Sequence, residues 1–393
     1  MAVYDFETVV PRFGTGSFKW ESMRQLKQDL SLGAVPLSVA DMEFATPPEI
    51  AEGLKSFIDK MPLGYSGIFE EYKEQVVSWI QRRHAFRPEK EWIVETDGVV
   101  PAIRQMVRAF TEKGDSVLIM TPVYYPFRSS VTASGRNLVE SRLLEEDGVY
   151  SIDFDDLAVK AARRDVKLMI LCSPHNPVGR VWKREELLKV SRICLENGVF
   201  LISDEIHFDI VMPGFEHFSL LRLDGEERLN TAICTAPSKS FNLAGLQCAN
   251  IFIPDEAKRQ ALRNERDNNS LNILAYQACI LAYKYCEPWL EQMISVVDRN
   301  RRLVEETILV SAPQIKLSPL EGTYLQWLDL RCLGLDVKAQ EKLMIDHELF
   351  FDEGYIFGDG GEGFERINLA VPTEVVRAAI DRLIKAVNEI QSR

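Results

Sequence analysis

Lys239 is the residue in this sequence best placed to act as a nucleophile. It stands in Ser238-Lys239-Ser240-Phe241-Asn242, followed by Ala244-Gly245, just past the apolar run Thr231 to Ala236. Such a run reads as a buried strand, so the lysine follows a strand end. An amine held there, out of water and near other cations, loses its proton near neutrality and can attack a carbonyl carbon. The competing reading is a solvated loop lysine, the ordinary fate of this residue type. Its companions argue against that. Asp204 closes a second apolar run in Leu201-Ile202-Ser203-Asp204-Glu205-Ile206-His207. Asn176 lies just past a third, in Ser173-Pro174-His175-Asn176-Pro177-Val178-Gly179. A carboxylate under a heteroaromatic ring nitrogen keeps it protonated and makes the ring an electron sink. An amide fixed between two prolines can be aimed at a ring oxygen and at a substrate carboxylate. The bland alternatives are a capping aspartate and an Asn-Pro turn.

Around these residues the chain alternates strand and helix from Pro47 onward. Apolar residues recur at helical spacing from Val100 to Phe110, with Pro101 in the first turn and Gly114 beyond the end. The stretches 117–120, 167–172 and 199–203 read as short buried strands, and 185–197 as a helix stopped by Gly198. This alternation predicts an α/β fold with a mostly parallel sheet covered by helices on both faces. Ligands of such sheets sit outside the carboxyl ends of the strands, where Asn176, Asp204 and Lys239 all fall. Residues 1–45 read as irregular and join a smaller lobe completed by the C-terminus, while 46–287 form the large lobe. The character changes near Pro288. A long amphipathic segment, a strand near 323–328, a helix near 337–348, a turn at Gly358 to Gly363, a strand at 366–369 and a final helix make 288–393 a smaller α/β domain.

Further positions can complete a site. Gly98-Val99-Val100-Pro101 opens the helix, and free backbone N–H groups at such an N-terminus bind phosphate. Ser238 adds a hydroxyl beside the lysine. Tyr124 can stack on a planar ring, or serve as one more core aromatic. His207 can hydrogen-bond Asp204 or approach a cofactor hydroxyl, and His175 reads as a residue behind the site. Arg366, in Glu365-Arg366-Ile367-Asn368, offers a guanidinium that can grip a carboxylate bidentately; its alternative is a surface ion pair.

These motifs together resemble the fold-type I pyridoxal phosphate (PLP) enzymes of the class I/II aminotransferase superfamily. Within it the chain is most similar to the MalY/PatB-type cystathionine β-lyases, or C–S lyases. The resemblance covers nearly the whole chain, from Val39-Ala40-Asp41-Met42-Glu43-Phe44 through Arg366. It includes Lys19-Trp20, Arg83-His84, Gly98 to Pro101, Pro174 to Arg180, Ser203 to His207, Ser238 to Asn242 and Gly322-Thr323-Tyr324-Leu325. It implies a large domain with a mostly parallel seven-stranded sheet. It also implies that Lys239 carries PLP and moves the Cα proton of an amino acid. Asp204 would then hold the ring nitrogen, Asn176 would steady the cofactor oxygen with His207 in the cofactor site, and Tyr124 would stack. Ser238, Gly98, Val99 and Val100 would hold the phosphate, while Arg366, Asn176 and Ala40 would meet the substrate. The resemblance further implies a homodimer in which Tyr65 reaches the partner's phosphate. Two positions depart from ordinary aminotransferases: Gln247 replaces a phosphate-gripping arginine, and His207 replaces a tyrosine. Asp97, beside the phosphate loop, is expected to point away.

The remaining composition narrows the class. A net charge of −13 disfavours nucleic acid as a partner. Seven cysteines without a C-x-x-C argue against a disulfide framework or thiolate metal site, so no metal is expected. No apolar stretch is long enough for a bilayer, and the first residues lack the order of a signal peptide, so the chain reads as cytoplasmic. The leading function is a C–S β-lyase acting on cystathionine, cysteine or a cysteine S-conjugate. A class I/II aminotransferase is the alternative, and a regulatory protein retaining a PLP site is a third. Gln247 and His207 favour the lyase.

Overall fold

The computed structural model describes residues 3–31, 33–266 and 271–391; Met1 and Ala2 of the N-terminal stretch lie outside them. Seven strands build the main sheet: β1 (Ile93–Thr96), β2 (Ser116–Thr121), β3 (Asn137–Arg142), β4 (Val166–Cys172), β5 (Phe200–Asp204), β6 (Thr231–Thr235) and β7 (Ala249–Phe252). Their order across the sheet is β1-β7-β6-β5-β4-β2-β3. Neighbours pair in parallel from β6 to β3, and β7 runs antiparallel to both β1 and β6.

Side-chain alternation explains why both faces are covered. Val117, Ile119, Leu168, Ile170, Ile202, Ala232 and Cys234 belong to one apolar cluster with Ala102, Ile103, Met106 and Val107 of helix α1 (Val99–Phe110). The intervening residues Leu118, Met120, Met169, Leu171, Leu201 and Ile233 face a second cluster. There they meet Leu187, Val190 and Cys194 of helix α2 (Arg184–Glu196). A strand residue contributes to one face or the other with period two, so a sheet with two buried faces needs unbroken apolar runs.

The C-terminal part builds a four-stranded antiparallel sheet of β8 (Lys316–Leu317), β9 (Leu325–Asp329), β10 (Asp352–Glu353) and β11 (Phe364–Asn368). Its order is β8-β9-β11-β10. Helix α3 (Glu287–Ser311) packs against the terminal helix α4 (Thr373–Gln391) beside it. No helix among the described residues is long and apolar enough to cross a membrane.

One sequence expectation is corrected. Residues 1–45 are not wholly irregular: Phe18–Leu26 is helical, and Val35–Pro36 pairs in parallel with Leu349–Phe350. The helix escapes an apolar-periodicity search because its buried contacts rest on Lys19 and Met23. Beyond it, Ser38 to Phe44 crosses the carboxyl edge of the main sheet. Val39 takes a left-handed φ of 55°, an uncommon state for a β-branched residue.

Candidate active site

Strand β6 ends at Thr235, and the short helix Pro237–Ser240 carries Lys239 to the carboxyl edge of the sheet. The turn is anchored from behind, where Ser240 Oγ donates to Asp209 Oδ2 at 2.6 Å. Asp209 in turn accepts from Trp79 Nε1 at 3.2 Å and pairs with His84 Nε2 at 2.9 Å. In front, Lys239 Nζ donates to the Ala40 carbonyl at 2.6 Å. Burial lowers its pKa to about 8; Asp41 and Asp204 oppose that fall, and the Arg366 and Lys19 cations add to it. The result is an amine that exchanges its proton near neutrality.

Asp204 is the last residue of β5 and is buried. Its Oδ1 accepts from the Ile206 N–H at 3.1 Å. Burial pushes its pKa up to about 7, against the pull of that N–H and of Lys239. His207 follows on the same wall, but the expected hydrogen bond to Asp204 is not made. Asp204 Oδ1 is taken by the Ile206 N–H instead, and buried His207 Nδ1 has no partner among the described residues. Its ring instead lies edge-on to Tyr324, with centroids 5.7 Å apart. Burial holds the ring neutral, lowering its pKa, and the nearby Lys239 and Arg366 cations act in the same direction.

Asn176 sits four residues past β4 on a loop fixed from several sides. Gly179 N–H donates to the His175 carbonyl at 2.8 Å, and His175 Nε2 meets the Pro122 carbonyl at 2.9 Å. Tyr124 N–H donates to the Asn176 carbonyl at 3.1 Å, which ties the tyrosine to the same loop. Burial pushes the pKa of the Tyr124 hydroxyl well up. Arg366 Nη1 donates to Asn176 Oδ1 at 2.7 Å, leaving the amide N–H groups to face other partners. Arg366 itself is buried on β11, opposite Trp327 of β9 and Asp352 of β10.

These groups meet at one cavity of about 280 Å³. Lys239, Asp204, Asn176, His207, Tyr124 and Ala40 line it, as do Ser238 and the Gly98, Val99 and Val100 opening of α1. Gly98 has φ 153°, and a Cβ there would come within 3.3 Å of Pro101 Cδ. Only glycine therefore brings the chain into α1 without strain, and at the cavity wall the Val99 and Val100 N–H groups have no backbone acceptor among the described residues. Asp97 is exposed but also borders the cavity, as does Gln247. Arg366 lies one hydrogen bond behind Asn176. Tyr65 is not brought to the site of its own chain and is fully exposed. A larger hollow of about 360 Å³ lies elsewhere, bordered by His84, Asp209 and His217. There His84 pairs with Asp209, and His217 pairs through Nε2 with Glu205.

The residues present fit pyridoxal phosphate. They supply a lysine of lowered pKa, a buried carboxylate facing it, an unpartnered imidazole nitrogen and unpaired amides at a helix N-terminus. The family model for aminotransferase class I and II matches residues 33–383. The chain belongs to this family.

Within the aminotransferase class I and II family, the chain is 38% identical to cystathionine beta-lyase PatB of Bacillus subtilis over 98% of this chain and 100% of that protein. It is 30% identical to protein MalY of Escherichia coli, over 99% and 100% of the two chains. Among solved structures, PLP-containing cystalysin from Treponema denticola superposes with a TM-score of 0.97 at 47% identity, covering 99% of this chain and 100% of that one. A PLP-bound C–S lyase from Staphylococcus hominis gives 0.91 at 32%, covering 98% and 99%. The fold is that of fold-type I PLP-dependent enzymes.

Reading the sequence alone missed the clamp that holds residues 39–43 over the lysine. Lys19 is completely buried, with Nζ 2.6 Å from the Asp41 carbonyl and 3.0 Å from Glu43 Oε1. Arg12 binds Asp41 and Glu43, and Trp20 Nε1 donates to Glu43 Oε2. Tyr324 OH donates to the Ala40 carbonyl at 3.0 Å, and Asn368 Nδ2 to the Val39 and Asp41 carbonyls. The available signal was the pairing of a basic-aromatic Lys19-Trp20 with an acid-bearing segment about twenty residues on.

Proposed function

We propose that this protein is a PLP-dependent carbon–sulfur β-lyase that converts cystathionine, cysteine or a cysteine S-conjugate to a thiol, pyruvate and ammonia. The observation that carries this reading is the convergence of Lys239, Asp204 and Asn176 with the α1 N-terminus on one cavity. Bound there, PLP supplies the electron sink that acidifies the Cα–H of an amino acid. Lys239 holds the cofactor, and its amine takes the Cα proton. Asp204 holds the ring nitrogen in its cationic form, which offsets the burial of its own carboxylate. Asn176 would direct its amide N–H at the ring oxygen, Tyr124 would stack on the ring, and the neutral His207 would border it near the ring hydroxyl. Ser238 and the N–H groups of α1 hold the phosphate, and Gln247 adds no charge to it. Arg366 grips the α-carboxylate, with Ala40 alongside. The Cβ–S pair leaves as thiolate, and water converts the remaining three carbons to pyruvate and ammonium.

We assign 46–287 to the cofactor domain and 288–393, joined by residues 1–45, to a smaller domain. Pairing of Val35–Pro36 with Leu349–Phe350 supports that grouping. We further propose a cytoplasmic homodimer in which Tyr65 of the partner subunit reaches the phosphate. The exposure of Tyr65 together with Met61 and Leu63 supports a partner at that segment.

The test is a product assay on PLP-loaded protein given cystathionine and no keto acid. Equal amounts of pyruvate, ammonia and homocysteine are expected. Turnover that begins only when a keto acid is added would make the protein an aminotransferase instead.

A further inference from the structure

Arg366 does not stand alone in its pocket. Asp352, its cross-strand neighbour on β10, accepts from Arg366 Nε at 3.2 Å and from Nη2 at 2.5 Å, both on Oδ2. The same oxygen accepts from the Val39 N–H at 2.9 Å. Nη1 meanwhile donates to Asn176 Oδ1 at 2.7 Å. A guanidinium has five N–H groups. Asp352 and Asn176 take three, which leaves one on each terminal nitrogen. Two donors on two nitrogens are what bidentate capture of one carboxylate needs.

We propose that Asp352 is a positioning residue for substrate recognition. It holds the Arg366 guanidinium in the one orientation that presents two free N–H groups to an α-carboxylate. It also ties that orientation to the segment over Lys239. The inference rests on the reading that Arg366 grips the substrate carboxylate. Asp352 touches neither cofactor nor the reacting carbons. Its contact with Val39 N–H stands one residue from the Ala40 carbonyl on which the Lys239 amine rests.

The experiment titrates PLP-loaded protein and reads the visible spectrum of the cofactor, which reports binding without turnover. The probes are L-alanine, propionate (carboxylate without amine) and ethylamine (amine without carboxylate); propionate is read by its competition with alanine. In Asp352→Ala, alanine and propionate are expected to bind tenfold or more weakly, with ethylamine within twofold of the unsubstituted protein. Asp352→Asn keeps an acceptor oxygen for Arg366 and Val39, and is expected to restore both carboxylate probes to within threefold. Unchanged propionate binding in Asp352→Ala overturns the proposal, as does equal weakening of all three probes. So does failure of Asp352→Asn to restore the carboxylate probes. Should Asp352→Ala not fold, Asp352→Asn alone decides: propionate within threefold supports orientation by the acceptor, and tenfold loss overturns it. Arg366→Ala separates the two layers of the argument. If it leaves propionate binding intact, the carboxylate reading of Arg366 fails, whatever Asp352 does.

Discussion

Asp204→Asn is expected to stabilise the cofactor-free protein and to destabilise the loaded one, and the size of the first effect follows from burial. Burial pushes the Asp204 carboxyl up to about 7 in the folded chain, against an ordinary value of 3.8. A raised acid pKa means the folded state holds its proton after the unfolded state has released it, so stability falls as pH rises between those values. Below about pH 4 both states are protonated and no penalty exists. Above about pH 7 the full penalty is reached, about 4 kcal/mol at roughly 1.4 kcal/mol per pH unit. Asparagine cannot ionise and escapes it. For 393 residues, an unfolding entropy of about 2 cal/mol/K per residue converts this to a rise of about 5 °C in Tm at pH 8, shrinking toward zero near pH 4. The assay is a melting series on cofactor-free protein from pH 4.5 to 8.5, with and without added PLP. Adding PLP should reverse the order, because only the carboxylate pairs with a cationic ring nitrogen. A Tm difference that is absent, or that does not vary with pH, would refute the argument that Asp204 is a buried carboxylate awaiting a cation.

Lys239→Ala should abolish the visible absorbance of covalently held cofactor and lower kcat by roughly 10³-fold, as loss of a general base does; near-normal turnover would remove Lys239 from the chemistry. Arg366→Ala removes charge-assisted hydrogen bonds to the substrate and should lower kcat/KM by roughly 10²-fold, and an unchanged value would count against carboxylate binding. With the Lys239 amine near pKa 8, the neutral fraction rises about tenfold between pH 7 and 9, and the rate of cofactor capture by stripped protein should rise with it. A capture rate that is flat over that interval would show that this amine is not the attacking group.

The parts of the site legible in the sequence share one property: each follows directly from a buried strand. Asp204 ends β5, Asn176 follows β4 within four residues, and Lys239 follows β6 within four. An apolar run bounded by proline or glycine marks a strand end, and in a parallel sheet the strand ends are the site. The antiparallel course of β7 was not legible, because Ala249 to Phe252 is as short and buried as the parallel strands and direction leaves no trace in composition. The Phe18–Leu26 helix was hidden for the opposite reason. Its buried members include a lysine, and its fit depends on Glu43 and Asp41, more than twenty residues away. Asp352 sits on a two-residue edge strand with no motif around it. Only the cross-strand register with Arg366 gives it meaning. For His207 the sequence leaves open a bond to Asp204 or an approach to a cofactor hydroxyl; the two side chains border one cavity without bonding each other.

Buried charge is distributed unevenly in this protein, and the unevenness separates scaffold from site. Lys19 has Glu43 and Arg366 has Asp352, each within hydrogen-bond distance. Such pairs offset the cost of taking each ion out of water and hold elements in register. Asp204 has one backbone N–H, and the Lys239 amine has a carbonyl rather than a counter-ion. These two groups carry shifts of pKa toward neutrality for the same reason, because burial opposes their charge and no bonded counter-ion restores it. A scaffold that pairs Lys19 and Arg366 with acids, while leaving a carboxylate and an amine on the walls of one cavity, favours a ligand that brings a cation to one and an electrophilic carbon to the other. Filling the cavity therefore acts on stability and chemistry together: the contact that relieves Asp204 also sets the ring charge on which proton transfer by Lys239 depends.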